Sequence, residues 1–391
     1  MKKITFLYTH PIQYFAPLLK KINESDVCSL NVLYCQDTSK GYQDKEFGQK
    51  IKWDTPLLEG YDYEFLPESN LNIKGGFFKY FNPAVRKYIT KKKTDILVIH
   101  GWSNATTILA LFYAYFRGIE IWLRSESPYC QEIKKSKFIL GLKKIILKYF
   151  LFKMVDKFLY IGEENRRFYK YNGIKDSKLI FTPYSVDNER LGMVNSKYSN
   201  IHKSEFKKRL GITEDSFVVL FSGKLIGKKN PIDLLKAFHK SKLEKSILLF
   251  IGDGVLMSEL KKYVTVNKLE NNIIFVGFIN QTELYTYFLA ADLFVLPSGM
   301  NETLGLVVNE AMNYSLPIIV SDLVGCVTDL VKIGENGYTY NLGDINQLSF
   351  LLKKVYQNRE WQIQAGKKSF EIVKGYSYNM IIDNIKQIIS V

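Results

Sequence analysis

Cysteine is scarce in this sequence, and no cysteine is spaced as a metal ligand or as half of a redox pair. Four occur among 391 residues, at Cys28, Cys35, Cys130 and Cys326. The absence of a CxxC pair and of metal-ligand spacing favours a protein kept in a reducing compartment. We therefore expect neither a metal site built from these thiols nor a disulfide framework.

Long apolar runs are also lacking. The apolar run 105–116 is far shorter than the roughly 20 residues that cross a bilayer, and we interpret it as a buried helix. The amino-terminal sequence MKKITFLYTH becomes polar before it reaches the length of a signal-peptide core. We expect a cytoplasmic protein, with membrane contact confined to the periphery of the inner face of the cytoplasmic membrane.

Positive charge is in excess, whereas the rest of the composition is ordinary for a globular protein. Lys and Arg total 54 against 39 Asp and Glu, for a net charge of +15, and hydrophobic residues make up 47%. A net positive charge of this size indicates nucleic acid, an anionic membrane or a polyanionic ligand as a binding partner, and composition alone does not distinguish among the three. Because nothing resembles a helix-turn-helix, zinc finger or RNP motif, we expect no nucleic-acid partner.

Apolar strand patterns alternate with helical patterns along the whole chain, without a repeat or a hairpin signal. This alternation predicts an α/β fold with two Rossmann-like, doubly wound parallel-sheet domains, in keeping with the length. The first domain is placed at 1–187 and the second at 205–376, joined by a polar linker at 188–204. Residues 46–56 are predicted to form a polar loop, and the amphipathic segment 377–391 a final helix.

The stretch 292–316 has the pattern of a buried strand, a loop and the start of a helix. Asn301 or Thr303 is a suitable helix cap, and Glu302 suits the first turn. Gly305 in that turn costs roughly 1 kcal/mol of helix stability but lets a ligand approach the backbone without meeting a Cβ. Amides at such a turn form a site for phosphate.

Two carboxylates in this stretch, Glu302 and Glu310, are too far apart along a helix to share one proton, so we expect them to contact opposite ends of an elongated ligand. The sequence ETLGLVVNE followed by AM resembles the signature of the family-4 retaining glycosyltransferases of the GT-B fold, which are found in bacterial surface-polysaccharide synthesis. The resemblance implies Glu302 at the donor sugar, Glu310 at the ribose and the amides of Leu304 and Gly305 at the diphosphate. The alternative is that neither glutamate binds a ligand, Glu302 being only a favourable acid in the first helical turn and Glu310 a solvated helix residue.

Two lysines follow the first predicted strand of the second domain, in the turn SGKLIGKKNP. Family members commonly place an arginine and a lysine here, and the resemblance implies that Lys224 and Lys229 reach the diphosphate after Gly223. Because a lysine lacks the planar fork of arginine, Lys224 should neutralise charge with less geometric control. The alternative is a solvated lysine cluster.

Three further glycines are candidates for donor contacts. Gly252 and Gly254 lie in IGDG, where an Asp-Gly pair is more often a simple turn. Gly325 is predicted to open a helix whose amides face a phosphate. With Thr303, these glycines complete the predicted donor-binding set.

Polar residues also follow strands of the first domain, where ligands bind in doubly wound sheets. These candidates for the acceptor side are His10, Gln13, Arg124 and Glu126, and His100 follows the strand ILVIH. The resemblance places a histidine at the position of His100 near the transferred sugar. The alternatives are a hydrogen-bonded structural histidine and an ordinary ion pair between Arg124 and Glu126.

A basic amphipathic stretch occupies residues 134–154. On a helix, Lys137, Lys144 and Lys148 form one stripe flanked by Phe138, Leu142, Ile145, Tyr149 and Phe152. Such a helix binds an anionic membrane surface, and a packed helix with a solvated lysine edge is the alternative.

Taken together, these features predict a retaining glycosyltransferase with a cleft between its two domains, transferring a sugar from a UDP- or GDP-type donor to a glycan or lipid-linked acceptor. The chain has no Asp-x-Asp sequence, so we expect no metal and no other cofactor, with lysines in place of a metal ion. The alternative from another class is a non-catalytic nucleotide-binding adaptor at the membrane surface.

Overall fold

A computed structural model describes residues 1–39, 41–44, 49–67, 76–198 and 202–390. The chain divides into two compact units. Unit 1 comprises the described residues of Met1–Tyr42, Thr55–Tyr184 and Tyr378–Val391, and unit 2 those of Gln43–Asp54 and Ser185–Ser377.

The strands of the described residues are β1 (Lys3–Tyr8), β2 (Ser29–Tyr34), β3 (Tyr42–Asp44), β4 (Gln49–Ile51), β5 (Tyr63–Phe65), β6 (Ile96–His100), β7 (Glu120–Arg124), β8 (Lys157–Tyr160), β9 (Leu179–Phe181), β10 (Phe217–Ser222), β11 (Ser246–Ile251), β12 (Ile273–Gly277), β13 (Leu293–Leu296), β14 (Ile318–Ser321) and β15 (Gly337–Tyr340).

The α-helices are α1 (Ala16–Glu24), α2 (Val85–Lys91), α3 (Ala105–Phe116), α4 (Tyr129–Glu132), α5 (Lys137–Tyr149), α6 (Glu163–Tyr171), α7 (Asn188–Lys197), α8 (Lys203–Arg209), α9 (Pro231–Ser241), α10 (Met257–Val266), α11 (Tyr285–Ala290), α12 (Leu306–Asn313), α13 (Val327–Leu330), α14 (Ile345–Tyr356), α15 (Arg359–Val373) and α16 (Tyr378–Ile389). Four 3-10 turns are recorded in the same residues, at Phe77–Lys79, Leu151–Met154, Asp176–Lys178 and Gly227–Lys229.

Unit 1 is organised around a parallel sheet in the order β5-β2-β1-β6-β7-β8-β9. Strand β6, with the sequence ILVIH, is buried along its apolar length, as expected of a parallel strand covered by helices on both faces. Side chains from α2, α3, α5 and α6 pack with the central strands into one hydrophobic core. The carboxyl ends of β1, β6 and β7 therefore meet at one edge of the sheet.

Unit 2 has a second parallel sheet, in the order β12-β11-β10-β13-β14-β15. Strand β10 is buried at every residue, and its core partners come from β11, β13, α9 and α14. The strand order reverses beside β10, because β11 lies on one side and β13 on the other. Such switch points are where doubly wound sheets bind ligands.

A buried ion cluster fixes the residue that precedes β13. The Asp292 carboxylate lies 2.8 Å from the Lys207 ammonium, 3.1 Å from Lys203 and 3.0 Å from the Arg359 guanidinium. It also accepts a hydrogen bond from the Val218 amide. Although burial alone raises the pKa of this carboxyl, the two lysines lower it well below its ordinary value. The cluster joins α8, β10 and α15 to the start of β13.

The predicted fold class of two Rossmann-like parallel-sheet units is confirmed. Segment 46–56 differs from the predicted loop, since its described residues include β4, which forms a two-stranded sheet with β3. Within the described residues, no helix is long and apolar enough to span a membrane.

The irregular linker predicted at 188–204 is wrong for most of its length. Residues 188–197 form α7 and α8 begins at Lys203, while residues 199–201 lie outside the described part of the chain. Helix α7 is held by polar contacts as well as by apolar ones. The Asn313 amide donates to Asn188 at 2.9 Å, and the Asn195 amide donates to the Asn313 carbonyl at 3.4 Å. Because polar side chains make these contacts, the sequence of α7 lacks the apolar spacing from which a helix is predicted.

The predicted final helix is α16, which belongs to unit 1; residue 391, its predicted end, lies outside the described residues. The Tyr378 hydroxyl donates to the Tyr14 carbonyl, and the Asn384 amide donates to the Phe181 carbonyl. The interpretation of 105–116 as a buried helix is only half right. Helix α3 buries one face, but Phe112 is 45% exposed and Phe116 78% exposed.

Candidate functional site

The loop after β13 carries Glu302, and the helix that follows begins later than predicted. Helix α12 starts at Leu306, and its N-cap is Gly305 in the left-handed conformation, with φ 85°. A Cβ on Gly305 would lie 2.7 Å from a Leu296 methyl group. Packing of this loop against the sheet therefore overrides the predicted helix start. Consequently Glu302, Thr303 and Leu304 lie in the loop rather than in a first helical turn.

An ion pair joins this loop to the loop after β10. The Lys229 ammonium lies 2.6 Å from a carboxylate oxygen of Glu302, and the Lys228 ammonium lies 3.9 Å from the same oxygen. Both Glu302 and Lys229 are largely buried, whereas the Lys228 side chain is 39% exposed. The Gly299 amide donates to the Lys228 carbonyl at 2.8 Å and fixes the two loops together. Since β10 and β13 are neighbouring parallel strands, their carboxyl ends bring these charges to one place.

At Gly252 and Gly254, two of the predicted donor-site residues, another backbone segment lies too close for any side chain. A Cβ on Gly252 would lie 2.0 Å from the Gly223 carbonyl oxygen, and one on Gly254 would lie 2.5 Å from the Leu225 carbonyl oxygen. The Leu225 amide donates to the Asp253 carbonyl at 2.9 Å. Gly252 and Gly254 thus support the loop that holds Lys224 and Lys229. Their contact with a donor stays a prediction.

Gly325 supports Glu302 from the other side. A Cβ on Gly325 would lie 1.8 Å from the Thr303 carbonyl oxygen, and the Gly325 amide donates to the Glu302 carbonyl at 3.3 Å. The helix predicted to open at Gly325 begins at Val327 as the short α13. The Gly325 amide is thus bonded within the protein, and its contact with a phosphate stays a prediction.

Glu310 lies on α12 and is buried. Burial raises the pKa of the Tyr314 phenol, and the nearby Glu310 carboxylate raises it further. Glu302 and Glu310 thus occupy a loop and a helix of one β13–α12 segment, not two turns of one helix. The loops after β10, β11, β13 and β14 and the α12 helix together carry the predicted donor-site residues Gly223, Lys224, Lys229, Gly252, Gly254, Glu302, Thr303, Leu304, Gly305, Glu310 and Gly325.

In unit 1 the predicted acceptor-side residues also gather at the carboxyl edge of the sheet. The His100 Nε2 atom lies 2.9 Å from a Glu126 carboxylate oxygen. The imidazole ring packs against Tyr8 and Phe15, with ring centroids 5.4 Å and 5.1 Å away. Packing on two rings and the bond to Glu126 fix the orientation of His100.

The Arg124 guanidinium is buried between two aromatic rings. It lies 5.3 Å from the Phe15 centroid and 4.9 Å from that of Tyr184, and burial lowers its pKa. Its Nε atom has no hydrogen-bond partner among the described residues. No Arg124–Glu126 ion pair within 4 Å is found among those residues. The two rings contact the cation, and the charge of Glu126 at longer range opposes the effect of burial on the Arg124 pKa.

His10 and Gln13 follow β1 at the same edge of the sheet. The His10 Nδ1 atom lies 2.9 Å from the Thr9 hydroxyl. Burial lowers the pKa of His10, and Lys79 and His100 lower it further. The Gln13 amide oxygen is buried without a hydrogen-bond partner in the described part of the chain. His10 is therefore neutral over most of the physiological range.

A cavity of about 310 Å³ opens beside His100, lined by His100, Gly101, Trp102, Ser103, Ser125, Glu126, Ser127 and Lys143. Sequence reasoning named only His100 and Glu126 from this set. The serines follow β6 and β7 directly, a position that could have marked them. Lys143 could not be selected, since its side chain is one of several lysines in the basic stretch.

Comparisons with known proteins are consistent with this architecture. Residues 202–371 match the family model for glycosyl transferases group 1. The UDP-Gal:alpha-D-GlcNAc-diphosphoundecaprenol alpha-1,3-galactosyltransferase of Escherichia coli is 28% identical over 314 residues, which cover 78% of this chain and 77% of that protein. The alpha-monoglucosyldiacylglycerol synthase of Acholeplasma laidlawii is 34% identical over 151 residues, which are 37% of either chain.

A solved structure extends the likeness over both units. Anabaena Alr3699/HepE in complex with UDP has a TM-score of 0.74, covers 100% of both chains and is 16% identical in sequence. The likeness at this identity concerns the fold, and the group 1 match concerns the enzyme class. The two comparisons support a glycosyltransferase of the GT-B fold.

Proposed function

We propose that this protein is a family-4 type, retaining glycosyltransferase that transfers a hexose from a UDP-sugar to a hydroxyl of a lipid-linked glycan intermediate, without a metal ion. The observation that carries the proposal is the pair of Lys229 and Glu302, 2.6 Å apart at the carboxyl edge of the unit 2 sheet. It places one cation and one carboxylate inside the region that matches glycosyl transferases group 1.

The donor side divides into charge neutralisation and positioning. Lys229, with Lys224 in the same loop, neutralises the diphosphate, and the amides of Leu304 and Gly305 add hydrogen bonds. Glu302 binds hydroxyls of the donor sugar and Glu310 binds the ribose. The 2.6 Å contact between Lys229 and Glu302 places the diphosphate cation beside the carboxylate that binds the sugar.

In the transfer step, the acceptor hydroxyl attacks the anomeric carbon on the face from which the diphosphate departs. The bond between that carbon and the phosphate oxygen breaks, and the leaving phosphate takes the acceptor proton. Negative charge grows on the diphosphate, so the lysines contribute most at the transition state. No dedicated base is needed, and His100 orients the sugar or the acceptor.

The donor nucleotide and the acceptor class are supported by the relatives. The name of the Escherichia coli relative specifies UDP-Gal and a diphosphoundecaprenol-linked GlcNAc acceptor. The Anabaena protein was solved with UDP. We therefore place UDP-sugars before GDP-sugars as donors and a lipid-linked saccharide before a soluble one as acceptor.

An anionic membrane surface is the proposed partner of α5. Ser136 caps this helix by accepting a bond from the Ile139 amide, and Leu147 is buried in the core of unit 1. The opposite side is apolar and exposed, with Phe138 at 81% and Leu142 at 52%. An exposed apolar face edged by lysines is the pattern of an interfacial helix.

The test is a panel of UDP- and GDP-sugars, scored by thermal stabilisation and by slow donor hydrolysis with and without EDTA. We expect one UDP-sugar to stabilise the protein, EDTA to have no effect and the sugar released or transferred to keep its anomeric configuration by NMR. An inverted product or loss of activity with EDTA would reject the proposed mechanism. No response to any nucleotide sugar would reject the function.

Substitution of each glutamate in turn distinguishes the proposed roles of Glu310 at the ribose and Glu302 at the donor sugar. Glu310→Gln should weaken binding of free UDP, because it removes the ribose contact, whereas Glu302→Gln should leave UDP affinity intact and slow sugar transfer. Calorimetric titration of UDP and initial rates with the UDP-sugar measure the two effects. Equal losses of UDP affinity in both variants would contradict this division.

A further inference from the structure

The cavity beside His100 has a lining that suits a sugar and, at one point, an anion. It lies at the carboxyl ends of β6 and β7, its volume is about 310 Å³, and its polar groups include the serines at 103, 125 and 127. Hydroxyl, imidazole and carboxylate groups around an aromatic ring are the means by which proteins bind sugar hydroxyls. The His100–Glu126 pair forms one wall.

Lys143 is the cation of this lining, and it comes from a different element from the other lining residues. Its side chain extends from α5, with the ammonium 5.1 Å from the Phe168 ring centroid and 2.8 Å from a Glu132 carboxylate oxygen. Burial lowers the pKa of Lys143, and Glu132 opposes this change. The Glu132 carboxylate also pairs with Lys135 at 3.1 Å, so the two lysines share one carboxylate and leave net positive charge beside the cavity. That charge attracts an anionic ligand group.

The position of Lys143 on α5 connects the cavity to the exposed apolar face of the helix. Ile139 and Ile146, one turn before and one turn after Lys143, are 53% and 49% exposed. A ligand whose anionic group contacts Lys143 therefore has apolar surface along the helix on either side. The polar cavity, the Lys143 ammonium and the apolar face of α5 thus follow one another in the same order as the sugar, the phosphate and the hydrocarbon chain of a lipid-linked sugar.

We infer that Lys143, at this edge of the predicted acceptor side, binds the phosphate by which a lipid-linked sugar is attached to its chain. The sugar lies in the cavity against the three serines and the His100–Glu126 pair, and the chain leaves along the exposed face of α5. This inference rests on the proposed glycosyl transfer to a lipid-linked acceptor, and it adds the phosphate contact and the direction of the lipid.

The test compares hexose 1-phosphates with the matching methyl hexosides by saturation-transfer NMR on the full chain. The native protein should prefer the phosphate. In Lys143→Gln the affinity for the hexose 1-phosphate relative to the methyl hexoside should fall about tenfold, because a charge-assisted hydrogen bond is lost. The affinity for UDP should not change. Lys170→Gln is the control, since Lys170 is an exposed lysine of the neighbouring α6 that pairs with Asp176 outside the cavity.

A second variant tests the cavity without removing charge. Ser103 is exposed at the cavity edge, so Ser103→Trp should block entry and weaken both the phosphate and the hexoside while the thermal unfolding temperature stays unchanged. If Lys143→Gln keeps the phosphate preference while UDP still binds, the inference is overturned and the glycosyltransferase proposal stands. If no nucleotide sugar is bound or hydrolysed, the proposed function fails instead.

Discussion

Removal of the Lys229 ammonium should affect the donor more than the fold. Lys229→Ala deletes a cation placed to neutralise the diphosphate, so we expect turnover to fall by about a hundredfold, as for loss of one transition-state donor. Initial rates and UDP titration measure the change. Lys228→Ala is the matched control, since its ammonium is 3.9 Å from Glu302 and its side chain is more exposed. Equal losses in the two variants would indicate general charge attraction rather than a specific contact.

Gly325→Ala should damage the same site without touching a charged group. The new methyl group would meet the Thr303 carbonyl, so the loop that carries Glu302 must move. We expect a destabilisation of about 1–3 kcal/mol, as for overpacking, and reduced transfer. Thermal unfolding and donor hydrolysis measure these effects.

Gly192→Ala provides the comparison for Gly325. Gly192 lies within α7, and an added Cβ would meet no described atom within 4 Å other than its chain neighbours and the backbone of its own helix. We expect a stabilisation of about 0.5–1 kcal/mol and unchanged transfer. If Gly325→Ala behaved like Gly192→Ala, the close contact with Thr303 would not constrain the loop.

Asp292 should govern part of the acid stability of unit 2. Its pKa is lower in the folded protein than in the unfolded chain, so its contribution is present above the unfolded value of about 3.9 and is lost as the pH falls through the folded value. Asp292→Asn should cost about 3–5 kcal/mol at pH 7, because three cations lose their buried partner. Urea unfolding between pH 7 and pH 3 should show a smaller loss for the variant than for the native protein. Asp215→Asn, at an exposed pair with Lys245, should change little at any of these pH values.

Residue type, strand context and the family resemblance indicate Glu302 and Lys229 as site residues, and the structure places the two in contact. They do not indicate the residues whose position depends on tertiary packing. The supporting positions of Gly252 and Gly325 depend on which loop lies opposite, and that is decided by the order of strands in the sheet. Lys143 faces a cavity only because of how α5 packs.

Among the secondary-structure elements, α5 should bind anionic vesicles through the charge of its lysines and through burial of its apolar side chains, and variants can separate the two. Changing Lys137, Lys144 and Lys148 together to Glu should abolish sedimentation with anionic vesicles, because each lysine contributes about 1 kcal/mol near such a surface. Replacing Phe138 and Leu142 by Ser should instead reduce the part of binding that persists at high salt. Neutral vesicles should bind the native protein only as weakly as anionic vesicles do at high salt, because only the apolar contribution remains.

Phe350→Ser is the control for the apolar change, since Phe350 is 63% exposed on α14 of unit 2. It should leave sedimentation unaltered. If the triple lysine variant still sedimented like the native protein, α5 would not be a membrane-binding helix. The exposed side chains of α3, Phe112 and Phe116, offer a second apolar surface, and their replacement distinguishes one binding helix from two.

Elements buried on both faces were predictable, and elements held by polar contacts were not. The runs in β6 and β10 are continuous apolar sequences, which in a parallel sheet have few alternatives. By contrast, α7 is held partly by asparagine side chains, and the start of α12 is set by the left-handed Gly305. In each case a tertiary contact decides between local conformations of similar free energy.

At the scale of the molecule, length and alternation predict two parallel-sheet units, whereas one segment that crosses between them was not predictable. The segment Gln43–Asp54 belongs to unit 2 although it lies between strands of unit 1. The Asn280 amide donates to the Lys52 carbonyl, and the Thr282 amide donates to the Asp54 carboxylate. Contacts between residues so distant in sequence have no local signature, so composition and periodicity could not reveal them.

This exchange of segments affects the order in which the protein assembles during translation. Residues 54 and 282 are 228 positions apart, so at about 5–20 residues per second the early segment waits roughly 10–50 s for its partner to be synthesised. Unit 1 begins first, but it also includes the described residues of Tyr378–Val391, which follow unit 2 in the sequence. Helix α16 is therefore synthesised after all of unit 2, so the second unit becomes complete before the first.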